Sequence, residues 1–464
     1  MAKPMNHADK LQYMTQTPLP RLVVQLATPA VVSMLISSLY NMADTYFVGQ
    51  IGSVSASGAV GIILPIMSLM QAVGFMFGHG SGNHMSRALG AGKVEDAEKM
   101  AATGFFSAFA VGLVIMLVGL LFPVQLCSLL GATETIAPYA REYLMYLMPG
   151  APFLVSQLVV NNQLRFQGSA FYGMIGVTVG ALLNVVLDPI FIFGLGMGVS
   201  GAALATSLSQ IVGFCVLLGM TYQKGNIAIR PRNFTPTLTN YREILRGGIP
   251  SLARQALTSI STIVLNTAAG VYGDAAIAAM SIVGRVMLMG NSAIIGFGQG
   301  FQPICGFNYG AKRYGRVREA FWFCVKLCFV ALVVIAGLGM LFAPQIIGLL
   351  IKDSPEVVEI GALSLRLQCV FWPLFSYVII ANMMLQTIGM AGKATLLAVA
   401  RQGMFFIPTI LLLSRLFGLL GVEMSQAVSD ALSFLLAVPI GQGVLRQFKQ
   451  LEAEQGSEAE LQAE

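Results

Sequence analysis

Charge is scarce in this chain: 27 Lys and Arg and 21 Asp and Glu make up 10% of its 464 residues. Soluble domains carry about 25% charged side chains. So few charges exclude an ordinary water-facing surface, and lipid must cover much of the molecule. Histidine is rarer still, with three residues and none beside a candidate nucleophile, so catalytic Ser-His or Cys-His sets find no support. The six cysteines, Cys127, Cys215, Cys305, Cys324, Cys328 and Cys369, are scattered, mostly through apolar runs. A chain this long does not call for a disulfide scaffold. Cys324 and Cys328 share a helix face but have no histidine near them, which argues against a metal site. No Gly-rich phosphate loop with its lysine occurs, which argues against direct ATP coupling. A net charge of +6 is too modest for a nucleic-acid footprint, and no nucleic-acid partner is expected.

What the chain has is apolar length. It is 56% hydrophobic, with 50 glycines and 25 methionines, and its mean hydropathy is +0.75. Glycine permits close helix packing in a membrane, and methionine gives adaptable apolar surface. A membrane-spanning helix needs about 20 apolar residues. Twelve stretches qualify, near 22–47, 57–78, 101–122, 143–162, 172–194, 200–221, 248–270, 277–301, 320–343, 366–388, 395–417 and 424–445. Pro149, Pro152 and Pro373 break the fourth and tenth. The expected fold is an all-α membrane protein with twelve transmembrane helices.

Basic residues collect in alternate loops. Arg87, Lys93 and Lys99 follow the second span, Lys224, Arg230, Arg232, Arg242 and Arg246 the sixth, and Lys312, Arg313, Arg316 and Arg318 the eighth. Loops 48–56, 195–199 and 271–276 have none. Positive residues stay cytoplasmic, so both termini are expected inside. Residues 1–20 are polar, without a signal-peptide core. The tail 446–464 is acidic and reads as a solvated, frayed end.

The two halves repeat. Pro29 and Pro250, Gly52 and Gly273, Pro152 and Pro373, and Gly168 and Gly389 each stand 221 positions apart. Six spans per repeat insert both halves in the same direction, which relates them by an axis along the membrane normal. The organisation expected is an N-terminal segment 1–20, an N-lobe 21–221, a linker 222–247, a C-lobe 248–445 and a tail 446–464. The lobes are two pseudo-symmetric six-helix bundles around a central cleft.

Two acids lie inside the apolar runs of the first half. Asp188 stands before Pro189 and four residues after Asn184, so amide and carboxylate share a helix face. Asp44 has the same spacing from Tyr40. Thr206 follows on the next apolar segment. A carboxylate in lipid is costly unless it faces a watery or protein-lined interior. These faces are expected to meet in an ion site, where a proton or Na⁺ bound at Asp44 and Asp188 relieves the cost of burial. Pro189 makes a bend or helix end plausible there. His79 and His84, at the cytoplasmic end of the second span, read as interfacial. Asp430, in the last span, reads as a packing or mouth residue.

The runs NVVLDP (184–189), GVSGAALAT (198–206) and SSLYNMADTYFVG (37–49), with RALGAG (87–92) and its partner NYGAKR (308–313), make about residues 20–445 similar to the multidrug and toxic compound extrusion (MATE) family. The resemblance implies an antiporter, not an enzyme. Such a protein expels organic, often cationic, drug-like compounds in exchange for H⁺ or Na⁺ by alternating access, with no other cofactor. It implies a monomer, multi-pass in a bacterial inner membrane and in contact with membrane lipid. The family's amino-lobe cation site falls on Tyr40, Asn41, Asp44, Asn184, Asp188 and Thr206. The seventh, eighth and tenth spans, as bounded above, hold no Asp or Glu, which leaves the amino-lobe site as the candidate. Arg254, Arg285, Lys326 and Arg401 instead place positive charge in the second half. A C-lobe cavity lined by Arg254, Met280, Arg285, Met287 and Arg401 is therefore expected. It keeps an alternative alive: a flippase or exporter of a lipid-linked saccharide or other anionic amphiphile. A passive channel or membrane receptor is a third reading, and the duplicated bundles and buried acids speak against it because a channel needs no coupling site.

Overall fold

A computed structural model describes residues 6–351 and 354–463, without the side chains of 54 and 458–463. The first five residues of the N-terminal segment, the 352–353 pair and the last residue of the tail lie outside it. Among the described residues there is no strand. A short helix α1 (His7–Gln16) precedes the N-lobe, whose helices are α2 (Leu19–Gly49), α3 (Val54–Gly90), α4 (Val94–Leu121), α5 (Pro123–Leu129), α6 (Ala137–Leu147), α7 (Ala151–Phe166), α8 (Ala170–Pro189) and α9 (Val199–Thr221). The C-lobe holds α10 (Leu238–Gly270), α11 (Asp274–Gly310), α12 (Tyr314–Leu341), α13 (Ala343–Leu350), α14 (Pro355–Phe371), α15 (Phe375–Thr387), α16 (Ala391–Val399), α17 (Phe406–Phe417) and α18 (Leu419–Ala463).

The first six helices follow the same order in both lobes, α2–α7 and α10–α15, whereas the counterpart of α8 is split into α16 and α17 by a π turn at Ala400–Phe405. α6 and α7 join through a 3₁₀ turn at Met148–Gly150, and α14 and α15 through another at Trp372–Leu374. These are the proline breaks expected in the fourth and tenth spans, since proline removes a helical donor and crowds the preceding turn. The repeat also shows in the backbone. Gly168 and its partner Gly389 both take left-handed φ, 82° and 85°, a conformation that only glycine adopts at little cost.

Each lobe contributes six membrane-crossing helices. Eleven are long and apolar enough to be recognised by composition alone. The other is α10, 33 residues long, which occupies the place of α2 in the second repeat. Arg254, Gln255, Thr258, Ser259 and Thr262 make it too polar to pass. Such residues are tolerated in a membrane where they face protein or a water-filled cavity. α10 also starts at Leu238, so the helix takes up the last ten residues of the expected 222–247 linker. α18 runs through the acidic tail to Ala463. The frayed end read from its charge is thus a helix, made of the Glu, Ala, Leu and Gln that favour one.

The lobes meet along α3 with α10 and along α2 with α11. At the end bearing the basic loops they touch backbone to backbone. A Cβ on Gly80 would overlap the Ile244 carbonyl, and one on Gly310 the Arg87 carbonyl. Arg87 donates to Glu243 at 2.8 Å and to the Thr387 carbonyl at 2.6 Å. His84, read from the sequence as interfacial, stands between Asp96 at 2.9 Å and Glu243 at 3.5 Å. Toward the other end the lobes diverge around a cavity of about 950 Å³ that reaches Gly49 and Gln50.

α1 crosses the basic end beneath both lobes. An Asn6 capping box starts it. The Lys10 ammonium is 6% exposed and donates to Ser169 Oγ, the Gly225 carbonyl and Asn226 Oδ1 at 2.8–3.2 Å. From the C-lobe, Asn308 and Arg313 donate to the Met14 and Thr15 carbonyls at 3.2 and 2.9 Å.

Candidate functional site

α8 carries Asn184 and Asp188 one turn apart. After Pro189 the chain continues as a π turn, Ile190–Gly194, the bend expected from Asp-Pro. Proline removes a backbone donor and loosens the last turn of α8, and π turns occur often at functional sites. Asp188 is fully buried, Asn184 2% exposed and Thr206 4% exposed. Asn184 Nδ2 lies 3.5 Å from Asp188 Oδ1 and 3.4 Å from Thr206 Oγ1. Both distances are at the limit of a hydrogen bond. Asp188 Oδ2, Asn184 Oδ1 and Asp44 Oδ1 are buried oxygens without a partner.

Tyr40 and Asp44 approach from α2. Their helix packs along α8, and Tyr40 and Asn184 line the same cavity. The helices that carry the two acids read from the sequence are therefore neighbours. Asn41 faces the cavity but donates back to the Ser37 carbonyl at 2.8 Å. Tyr40, Asn41 and Asn184 lie on the cavity wall, with the two carboxylates one layer behind. An ionised carboxylate enclosed in this way needs a counter-charge, and a proton or a small metal cation supplies one. Hydroxyl, amide and carboxylate oxygens suit Na⁺ as well as H⁺.

Gln210 was missed from the sequence. Gln210, on the cavity wall, follows Thr206 at helical spacing, and that was the available signal.

The C-lobe candidates separate. Arg285 lines the cavity. Arg254 is half-buried, lies outside the residues lining the cavity, and stands three residues after Ser251 on α10. Met280 and Met287 are packing residues. Met280 lies in a small cluster with Phe406 and Ile410, and Met287 in the main core. Arg401 is not free for a ligand. Its guanidinium grips Asp430 through Nε at 2.7 Å and Nη2 at 3.2 Å and lies 4.0 Å over the Phe375 ring. Asp430, left aside as a packing or mouth residue, is its buried counter-ion. Glu423, a second buried acid on α18, lies one residue before the 424–445 stretch.

His79 is not interfacial: it is 1% exposed. Its Nδ1 faces the Phe75 carbonyl at 3.2 Å and Ser251 Oγ at 3.1 Å, and Arg165 Nη2 lies 3.3 Å from its Nε2. Arginine only donates, so Nε2 accepts and the ring is the neutral Nδ1–H tautomer. The reading failed because α3 reaches Gly90, well past the 57–78 stretch, and His79 lies inside the bundle.

Among known proteins, the MatE family model matches twice, over residues 29–190 and 250–412, one match per lobe. The chain is 28% identical over 434 residues to the multidrug export protein MepA of Staphylococcus haemolyticus (strain JCSC1435), covering 93% of this chain and 95% of that one. It is 28% identical over 435 residues to MepA of Staphylococcus aureus (strain NCTC 8325 / PS 47), with the same coverage. Among solved structures, an outward-facing multidrug resistance MATE family transporter of the MOP superfamily superimposes with a TM-score of 0.89 at 27% identity, over 97% of this chain and all of that one. A MOP superfamily transporter from Pyrococcus furiosus, described as having a binding pocket of reverse polarity, gives 0.88 at 26% identity over the same shares. With both lobes matched by one family model and the whole fold superimposed on its members, the chain belongs to the MATE family and is a transporter, not an enzyme.

Proposed function

We propose that this transporter is a secondary active multidrug efflux antiporter, exporting organic compounds, cationic ones included, in exchange for H⁺ or Na⁺ taken up at Asp44 and Asp188. The observation that carries this reading is Asp188, fully buried, and Asp44, half-buried, each with one buried, unpartnered oxygen, on helices whose Asn184 and Tyr40 line a cavity large enough for a drug-sized molecule. The names of the staphylococcal relatives support the export of drugs. With the basic loops cytoplasmic, the cavity opens outward and both termini lie on the cytoplasmic side of a bacterial inner membrane. The protein acts as a monomer, with Tyr40, Asn41, Asn184 and Thr206 as neutral partners of the two acids. When a cation binds the carboxylates, an organic cation on the wall loses its counter-charge and leaves. Exchange requires only that the coupling ion bind the outward and inward states with different affinity.

Inverted vesicles from cells making the protein test this, with a proton or a sodium gradient imposed one at a time. Ethidium movement should follow one gradient and stop in Asp44→Asn and Asp188→Asn, with insertion unchanged. Full activity in both variants removes the site. No extrusion, with a lipid-linked precursor accumulating in a deletion strain, replaces the reading with a flippase. Current without exchange replaces it with a channel.

A further inference from the structure

A second opening lies on the C-lobe, between the first turns of α10 and the start of α16. It is a groove of about 940 Å³ that shares no lining residue with the central cavity. Leu238, Leu245 and Ile249 of α10 line it, with Leu396 and Val399 of α16. Arg242 and Arg246 line it too, one turn apart on α10, and no Asp or Glu does. Both helices start at the basic end. Glu243 of α10 pairs with Arg87, and a Cβ on Gly389, two residues before α16, would stand 3.4 Å from the same guanidinium. The groove therefore runs from the headgroup level, at the arginines, into the bilayer at Ile249 and Val399.

Two kinds of surface in this groove lack a partner. Leu238 is 86% exposed, Leu245 45%, and Ile249 and Leu396 40% each, so the protein leaves apolar surface uncovered along its length. Among the described residues, no carboxylate pairs with Arg242. Arg246 takes one oxygen of Glu243 at 3.2 Å, and the other oxygen of Glu243 holds Arg87 at 2.8 Å. A hydrocarbon chain alone would cover the leucines and leave Arg242 without a counter-charge. A small anion alone would do the reverse.

One molecule with an acidic head and an apolar tail meets both needs. Basic pockets between transmembrane helices recognise anionic head groups, and a guanidinium fork matches phosphate oxygens. We infer that the groove binds an anionic phospholipid, with its phosphate on Arg242 and Arg246 and one acyl chain along Ile249, Leu396 and Val399. Above Gly392, on the α16 wall, the space is open: a Cβ there would meet nothing within 4 Å. Tyr241, on the other wall, shares a 3.0 Å hydrogen bond with Ser107 of α4, which fixes the first turn of α10 against the N-lobe. The site goes beyond the antiport reading and needs only the membrane setting, not the coupling or direction of transport.

The test is native mass spectrometry of the purified full-length transporter in detergent. It is titrated with dioleoyl phosphatidylglycerol and with dioleoyl phosphatidylcholine, which differ only in the headgroup. Wild type should bind phosphatidylglycerol about tenfold more tightly, the scale expected of two arginines meeting an anionic lipid. Arg242→Gln should lower that affinity about fivefold and leave phosphatidylcholine nearly unchanged, and Arg242→Lys should keep most of the preference. Gly392→Phe should weaken both lipids alike, because its ring fills the groove. Equal affinities in wild type overturn the site, as does a preference that Arg242→Gln leaves intact. Lipid binding untouched by Gly392→Phe overturns the placing of the acyl chain. Displacement of phosphatidylglycerol by inorganic phosphate at constant ionic strength overturns the lipid as occupant and makes the groove a site for free anions. Transport plays no part in this readout, so failure of the antiport reading leaves the result standing.

Discussion

Asn184 is the residue that both touches the buried carboxylate and faces the cavity. Its amide is the named hydrogen-bond partner of Asp188, at 3.5 Å. Losing a hydrogen bond to a charged group shifts an equilibrium by about tenfold. Asn184→Ala should therefore lower apparent affinity for the coupling ion about tenfold in vesicle transport, with a smaller change in drug binding. Equal losses in both would make Asn184 a substrate ligand instead. At the lobe contact the decisive residue type is glycine. Gly310→Ala would push a methyl group against the Arg87 carbonyl. The lobes should then close poorly at the basic end, and a thiol probe should label a cysteine placed at residue 83 faster than in the parent.

Among the elements, α1 shows how a polar segment joins the fold. Burial pushes the Lys10 ammonium down to about 8, whereas an exposed lysine keeps its proton to about 10.4. Between those values the undocked chain binds more protons, so docking strengthens as pH rises through that window. Below it, the cost of holding Lys10 charged is fully present. Resistance of residues 1–17 to protease should therefore increase from pH 7.5 to 9.5, and Lys10→Met should abolish the slope. A wild-type profile as flat as the variant's would show that Lys10 titrates as an exposed group. α10 teaches the converse. A spanning helix can carry Arg254 and a row of hydroxyls because its neighbours include the opposite lobe and the cavity.

Across the whole molecule, the basic end is closed and the cavity opens toward the other end, and the alternating access proposed above would exchange the two. The Arg87–Glu243 pair and the Arg87–Thr387 contact hold that end shut in partly buried surroundings. Arg87→Gln should shift the balance toward the inward-open form by roughly 1–3 kcal/mol, the range for a lost charged hydrogen bond. Spin labels at residues 93 and 312 should report the change as a longer distance population. Unchanged distances would show that backbone packing alone keeps the end closed. Charge movement offers a second check. If Asp44 and Asp188 each admit one monovalent cation, export of a univalent organic cation moves one net positive charge inward. That is worth about 2.3 kcal/mol per 100 mV, so an inside-negative potential should accelerate export. Insensitivity to voltage would reduce the coupling to a single ion.

Span count, duplication and the presence of two acids inside apolar runs were legible from the chain alone, because each depends on local quantities. Twenty apolar residues cross a bilayer whatever they pack against, a 221-residue spacing survives folding unchanged, and Asp188 beside Asn184 is an expense in lipid under any arrangement. Partnership was not legible. Arg254 and Arg401 read alike in sequence, yet α18 brings Asp430 against Arg401, while no carboxylate pairs with Arg254 among the described residues. His79 read as a surface residue because its position relative to the second lobe is absent from linear order. Which charges are neutralised depends on contacts between helices, 29 positions apart for Arg401 and Asp430 and 172 for Ser251 and His79, and only tertiary packing decides them.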